Sequence, residues 1–386
     1  MKIIASTGIR SEYYILQPLI EELRSEGHEV KLIISGAHLS DWHGSSLDLI
    51  EIDGFEIADK IDNLFHTNRK TQRAKGVGSL VTGISQCVER EKPDLLLYVG
   101  DREEGIATAI VGNYMDVLFA HLSGGDPVWG NADDPMRFAI SKLAHIHFPF
   151  AKEYEKNLIK IGEDKFRVFH TGNPSLDNIR KTKEIDLKAL SKILKFDLTK
   201  NKYIVLIKHP LSSEKYQSEE QMKITLKSLK IFCDKNNYLV IGIYPNTDPG
   251  SYDIIKQIKE YEKEESFTFF KNLENLTFVN LMRNASALIG NSSMGILEAP
   301  FYNLPVINVG NRQRGRLNAG NVEFVDYNIN QIVLSIEKAC LNIPYRESIK
   351  LLKNPYGNGF ASKKIVNIID NIDIKDRKWY AKEGLC

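Results

Sequence analysis

The stretch DLLLYVGDREEGIATAIVGNYMDVLFAHLSGGD, residues 94–126, decides the fold. Its two apolar runs, 94–100 and 118–123, read as buried strands, and IATAIVGNYM between them carries apolar residues at helical spacing. A strand, a helix and a second strand in so short a span form a βαβ unit, whose strands lie parallel. Each strand stops at a glycine-containing turn bearing an acid, Asp101 after the first and Asp126 after the second.

The same alternation runs outward from this unit. Strands are expected at 2–7, 30–36, 145–150 and 167–172, with helices at 12–27, 137–144 and 151–162 between them. A charged stretch at 180–202 lacks strand character, and a new apolar run, KYIVLIKHP, begins at 202. Further strands are expected at 238–246, 266–270, 286–293 and 304–310, with helices at 251–264, around 281–285 and at 295–302. The reading is α/β, with two Rossmann-like domains, 1–182 and 183–362, and a cleft between them. The remaining 363–386 holds a final helix, near 361–371, expected to cross back to the first domain. In open parallel sheets ligands bind beyond the strand C-termini, where both acidic turns fall.

Composition removes several function classes. The 386 residues exceed what one core usually organises. With 51 basic and 50 acidic residues the formal charge is +1, which gives no reason to expect nucleic acid or an anionic membrane as partner. No stretch approaches the ~20 apolar residues that span a bilayer, and the N-terminal apolar run is too short for a signal peptide, so a cytoplasmic location is expected. Cys87, Cys233, Cys340 and Cys386 lie too far apart for a zinc site or redox dithiol.

Several turns carry chemistry. GNSSMGILEAP (290–300) places Ser292, Ser293 and Gly295 where a strand passes into a helix, whose free N–H groups suit an anion. GNRQRGR (310–316) brings Arg312, Arg314 and Arg316 to the next strand end, and arginine forks match phosphate. A diphosphate between these two turns is the favoured reading. Glu298, inside the expected helix, is placed to bind ribose hydroxyls, while Lys208 and His209 of KHP end the first strand of the second domain. In TGIRSE (7–12), Arg10 is a further phosphate candidate. Neither that turn nor GVGSLVTG (76–83) is the three-glycine dinucleotide fingerprint, which argues against a nicotinamide cofactor. Asp101, Asp126, Asp133 and Asp134 each have a plain alternative as helix N-caps. Together they suit acid–base work, because crowded carboxylates have their pKa values pushed apart. Grouped aspartates also bind Mg²⁺ or Mn²⁺, but the DxD pair of metal-dependent glycosyltransferases is absent, so neither metal nor cofactor is expected.

Taken in order, TGIRSEYYILQPL, SGAHLS, VGDREE, SGGD, HTGNPSLDNI, KHP, GNSSMGILEAP and GNRQRGR resemble the hydrolysing UDP-N-acetylglucosamine 2-epimerases of sialic and related nonulosonate synthesis, over nearly the whole chain. The resemblance implies a GT-B fold with the nucleotide held mainly by the second domain. It also implies elimination of UDP across C1 and C2 and hydration of the resulting glycal. By position Asp101, Asp126 and Asp133 match the family's acid–base carboxylates, and Ser292, Ser293 and Glu298 its nucleotide contacts. Where many members carry HGGE this chain has SGGD at 123–126, a change that opens the sugar's identity. UDP-N-acetylglucosamine and a UDP-2,4-diacetamido-2,4,6-trideoxy sugar, as in legionaminic acid synthesis, are both candidates. Alternatives are a non-hydrolysing epimerase, a GT-B glycosyltransferase and a non-enzymatic nucleotide-sugar binder. Homo-oligomers are common in the family, so a dimer or tetramer is expected.

Overall fold

A computed structural model describes residues 1–40, 46–64, 71–127, 134–245 and 248–382. The described residues group into two compact units, one running to Arg180 and resuming at Tyr356, the other from Lys181 to Pro355.

The first unit is a six-stranded sheet of β1 (Lys2–Thr7), β2 (Glu29–Ser35), β3 (Glu56–Ile61), β4 (Leu95–Val99), β5 (Leu118–Leu122) and β6 (Ile146–Phe148). Its order is β3-β2-β1-β4-β5-β6, every pair parallel. Ile3 stands opposite both Val30 and Leu95. Because the order reverses between β1 and β4, the connections leaving them depart to opposite sides and a crevice opens at their carboxyl ends. All five residues of β4 and of β5 are buried, as strands covered on both faces must be. One face packs Ile4, Leu96, Tyr98 and Phe119 against Leu80, Ile84 and Cys87 of the helix Thr71–Glu91. GVGSLVTG lies inside that helix, so it forms no phosphate loop.

The second unit repeats the plan with β7 (Lys202–Ile207), β8 (Tyr238–Ile243), β9 (Phe267–Phe270), β10 (Ala287–Gly290), β11 (Val306–Val309) and β12 (Val322–Val325). The order β12-β11-β10-β7-β8-β9 is again all parallel, with its reversal between β7 and β10. Ile204, Leu206, Ile289 and Ile307 pack on the helix Ser218–Asn236. On the other face Tyr203, Val205 and Leu288 meet Leu190 and Leu194 of the helix Leu187–Leu194, which lies in the charged linker stretch.

Three expectations need correction. Residues 167–172 form no strand; they add a single bridge, His147 to Val168, because Pro149 ends β6 and offers no N–H for a longer ladder. Two strands were missed, β3 (EIADKI) and β12 (VEFV), whose charged residues disguise them. Both are sheet edges, where charge is tolerated and discourages edge-to-edge pairing. Residues 356–362, expected in the second domain, group with the first unit. There the Tyr356 carbonyl accepts from the Asn173 N–H at 2.7 Å, and the Asp177 carboxylate accepts from Ala361 and Ser362 N–H at 2.9 and 2.6 Å. Asp177 thereby caps the helix Ala361–Asp370.

Cys87, Cys233 and Cys340 are buried free thiols. No helix among the described residues is long and apolar enough to cross a membrane.

Candidate active site

In the first unit, Asp101 follows Gly100 at the exit of β4, and the buried Arg137 of the helix Asp134–Leu143 pairs with its carboxylate. Arg137 is 7% exposed and also donates to the Ser123 carbonyl and hydroxyl, each at 2.8 Å. One guanidinium thus joins the turns leaving β4 and β5. Charge-assisted contacts of this kind fix geometry as well as adding energy. Ser123 has φ 63, and Gly125 has φ 77 with its α-carbon against the Tyr154 backbone, so the SGGD turn is tight. Asn157 donates to the Gly125 carbonyl at 2.9 Å, and Asp126 ends the turn only 3% exposed. His121 donates from Nε2 to the Gly100 carbonyl at 2.8 Å. Burial, first of all, pushes its pKa down to about 3, so it is a neutral imidazole.

The structure therefore brings Asp101 and Asp126 to neighbouring strand ends, with Arg137 between their turns. Arg10, half-buried, opens the helix Arg10–Ser25 beyond β1. Asp133 lies outside the described residues, and Asp134 enters only as the first residue of its helix. Sequence reasoning missed Arg137, since an arginine inside MRFAISKLA looks like any helix cation. It passed over Glu12 and Glu104 as well, although both stand in quoted motifs. They are buried carboxyls at the β1 and β4 exits, 5% and 2% exposed.

In the second unit, Asn291 organises the exits of β7 and β10. Its side chain accepts from the His209 N–H at 2.7 Å and donates to the His209 carbonyl at 2.8 Å. Its own carbonyl accepts from Arg312 at 3.2 Å and from Gln313 at 3.1 Å, which ties the GNRQRGR loop to the GNSS turn. Lys208 is buried, donating to the Tyr327 hydroxyl at 3.1 Å and lying 4.6 Å from that ring's centre. Burial lowers its pKa to about 7, with Glu214 opposing and Arg312 adding to the fall. Half-buried His209 is lowered to about 3 by burial, then by Arg312 and Lys208, so it acts as a neutral group.

The three arginines have separate tasks. Arg314 is half-buried and pairs with Asp326 at 2.5 Å, Arg316 is buried and donates to Gln313 at 2.8 Å, and Arg312 stays half-buried beside Asn291. Ser292 and Ser293 are half-buried at the turn, and Gly295 packs on Val306 where a Cβ would come within 2.9 Å. The helix expected through Glu298 stops short of it. Met294–Leu297 makes one turn, Glu298 is its C-cap, and a 3₁₀ turn, Ala299–Tyr302, follows. Pro300 is the reason, for it has no N–H to continue the α-helical ladder. A helix this short adds little dipole, so any anion here depends on side chains and local N–H groups.

Residues 21–370 match the sequence profile of the family described as UDP-N-acetylglucosamine 2-epimerase. The hydrolysing UDP-N,N'-diacetylbacillosamine 2-epimerase of Legionella pneumophila is 32% identical over 97% of this chain and 96% of its own. The hydrolysing GDP/UDP-N,N'-diacetylbacillosamine 2-epimerase of Campylobacter jejuni is 33% identical over 87% of each chain. Among solved structures, the UDP-GlcNAc 2-epimerase of Neisseria meningitidis bound to UDP-GlcNAc superposes with a TM-score of 0.82 at 22% identity, covering 96% of this chain and all of that one. With its two parallel six-stranded sheets and this superposition, the chain has the GT-B fold. On the match across most of its length, this chain belongs to the UDP-N-acetylglucosamine 2-epimerase family.

Proposed function

We propose that the protein is a hydrolysing 2-epimerase acting on a UDP-linked 2-acetamido sugar. The observation that carries this reading is Asp101, a carboxylate at the first unit's switch point locked by a buried guanidinium that also grips the SGGD turn. A carboxylate so held suits proton transfer at a weakly acidic carbon, where placement supplies much of the rate.

The reaction runs in two balanced halves. A carboxylate removes the C2 proton, the electron pair forms the C1–C2 double bond, and the C1–O bond breaks to release UDP. Water then adds: its oxygen bonds to C1, its proton passes to a carboxylate, and a carboxylic acid returns a proton to C2 on the opposite face. Asp101, Asp126 and Asp133 take these acid and base roles, and Asp134 is the further candidate for them. The nucleotide belongs to the second unit, where Ser292, Ser293, Gly295, Glu298, Arg312 and Arg316 serve it. His209, neutral, offers a hydrogen bond to the departing diphosphate, and Arg10 adds charge from the β1 exit.

The favoured sugar is the 2,4-diacetamido-2,4,6-trideoxy one, on the strength of the two hydrolysing relatives at 32% and 33% identity. UDP-N-acetylglucosamine is the competing substrate. Proton NMR in deuterated buffer with each nucleotide sugar tests the reading. Free manno-configured sugar carrying deuterium at C2, with UDP released, is the expected result. Interconverted nucleotide sugar with UDP still attached would instead make the enzyme a non-hydrolysing epimerase. Asp133→Asn should abolish turnover while sparing UDP binding.

A further inference from the structure

Glu12 lies in the first turn of the helix Arg10–Ser25 and reaches in two directions. Its Oε2 accepts from the Gly8 N–H at 2.9 Å, and its Oε1 accepts from the Tyr98 hydroxyl at 2.8 Å. The Tyr98 oxygen in turn accepts from the Arg102 N–H at 3.2 Å. This chain of hydrogen bonds links the turn leaving β1 to the turn leaving β4, the two strands that flank the reversal in strand order. Asp101 sits within the second turn. Its backbone is held by the relay through Arg102 and by His121 on the Gly100 carbonyl, and its carboxylate is held by Arg137.

Glu104, in the first turn of the helix Glu103–Tyr114, completes the cluster. The space is cleared by glycines. A Cβ on Gly8 would land on the Glu104 carboxylate, one on Gly105 would land on the Tyr98 ring, and one on Gly36 would come within 2.9 Å of Glu104 Oε1. The charged groups facing the pair are Arg102, whose Nε is 3.9 Å from Glu104 Oε2, then Glu103, and Arg73 of the helix Thr71–Glu91, which is itself paired with Glu103. Asp101 faces Tyr98. Burial first raises both carboxyls, Glu104 raises Glu12 further, and Arg102 opposes in each case. One partly exposed guanidinium does not neutralise two buried carboxylates, so the pair retains a proton at neutral pH.

We propose that Glu12 and Tyr98 are positioning residues whose hydrogen-bond relay, with Glu104 packed beside it and one proton retained by the two glutamates, fixes Asp101 for proton transfer at the sugar's C2. The proposal rests on the epimerase reading above. Ionisation of the second glutamate sets two buried charges against each other beside the relay, so kcat falls at alkaline pH while nucleotide binding in the second unit is spared.

Two measurements test it. Infrared spectroscopy of the wild-type protein at neutral pH should show the carbonyl band of a protonated carboxylic acid, and Glu104→Gln should lose that band as Glu12 ionises against Arg102. In kinetics Tyr98→Phe should lower kcat roughly tenfold or more with little change in KM. Glu12→Gln, which keeps an oxygen for the Gly8 amide and a permanent N–H, should lose roughly tenfold less kcat than Glu12→Ala; UDP binding serves as the check that each variant is folded. An active wild type without the band, or a Tyr98→Phe enzyme with wild-type kcat, overturns the relay alone. A wild type that shows the band yet turns over no UDP-linked 2-acetamido sugar overturns the function and, with it, the relay's role.

Discussion

At the residue scale the site depends on a few buried polar groups whose partners lie far away in sequence. Arg137 meets Asp101 across 36 residues and is held by its own burial. Arg137→Lys replaces a fork with a point charge, which cannot serve the carboxylate and the Ser123 carbonyl together. We expect kcat/KM to drop by roughly 100-fold, since a displacement of about 1 Å carries that penalty. Arg137→Ala strands a partly buried carboxylate and should also cost about 3–5 kcal/mol of stability, read by urea titration. Lys208 gives a second expectation. Its pKa of about 7 in the folded protein lies below the ordinary lysine value, so it sheds its proton as pH rises through 7. An anion bound beside it favours the charged form and draws the proton back. UDP binding at pH 7 to 8 should therefore take up a proton, visible in calorimetry as an enthalpy that depends on the buffer, and Lys208→Met should remove that dependence.

At the element scale the exits of β7 and β10 are built by backbone contact. Gly290 has φ 136, and a Cβ there would fall on the Ile207 carbonyl oxygen of the neighbouring strand. Gly290→Ala must part the strands where Asn291 and His209 interlock, and several kcal/mol of stability should be lost, by analogy with overpacking plus backbone strain. Gly54→Ala is the control: φ is 69 there, but the space around it is open, so only about 1–2 kcal/mol is expected. Urea midpoints of the two variants decide the matter. The edge strands β3 and β12 were hidden in the sequence because a covered interior strand must be apolar, while an edge strand carries charge at little penalty.

At the scale of the whole molecule, ionisable burial is concentrated in the first unit. His38, His121 and His145 are lowered to about 4, 3 and 4, mainly by burial, and His147 is lowered as well. The unfolded chain binds protons at these sites near pH 6.5 and the folded chain does not, so stability rises with pH across that window and is lost on acidification below it. Glu163 acts in the same direction. Held to about 2 by His147, Lys142 and Lys382 against its burial, it contributes stability above its unfolded value that vanishes as pH falls from about 4.5 toward 2. The amides of β4 and β5 should accordingly lose hydrogen-exchange protection on moving from pH 7 to 5 before those of β7 and β8, once intrinsic rates are corrected. Equal loss in both sheets would contradict this account.

The sequence by itself determined the α/β alternation, ten of the strand positions and the glycine turns that end them, because hydrophobic period and glycine-bounded strand ends are local properties. Its ordered motifs also carried the family. Only tertiary structure decided which turns meet. The coupling of Asp101 to Arg137, of Glu12 to Tyr98 and Glu104, and of Asn291 to His209 and Gln313 arises from strand order and from burial, and neither is written at short range along the chain. Those contacts are made between groups that the fold removes from water, and it is the loss of water that gives each of them its strength and its shifted proton affinity.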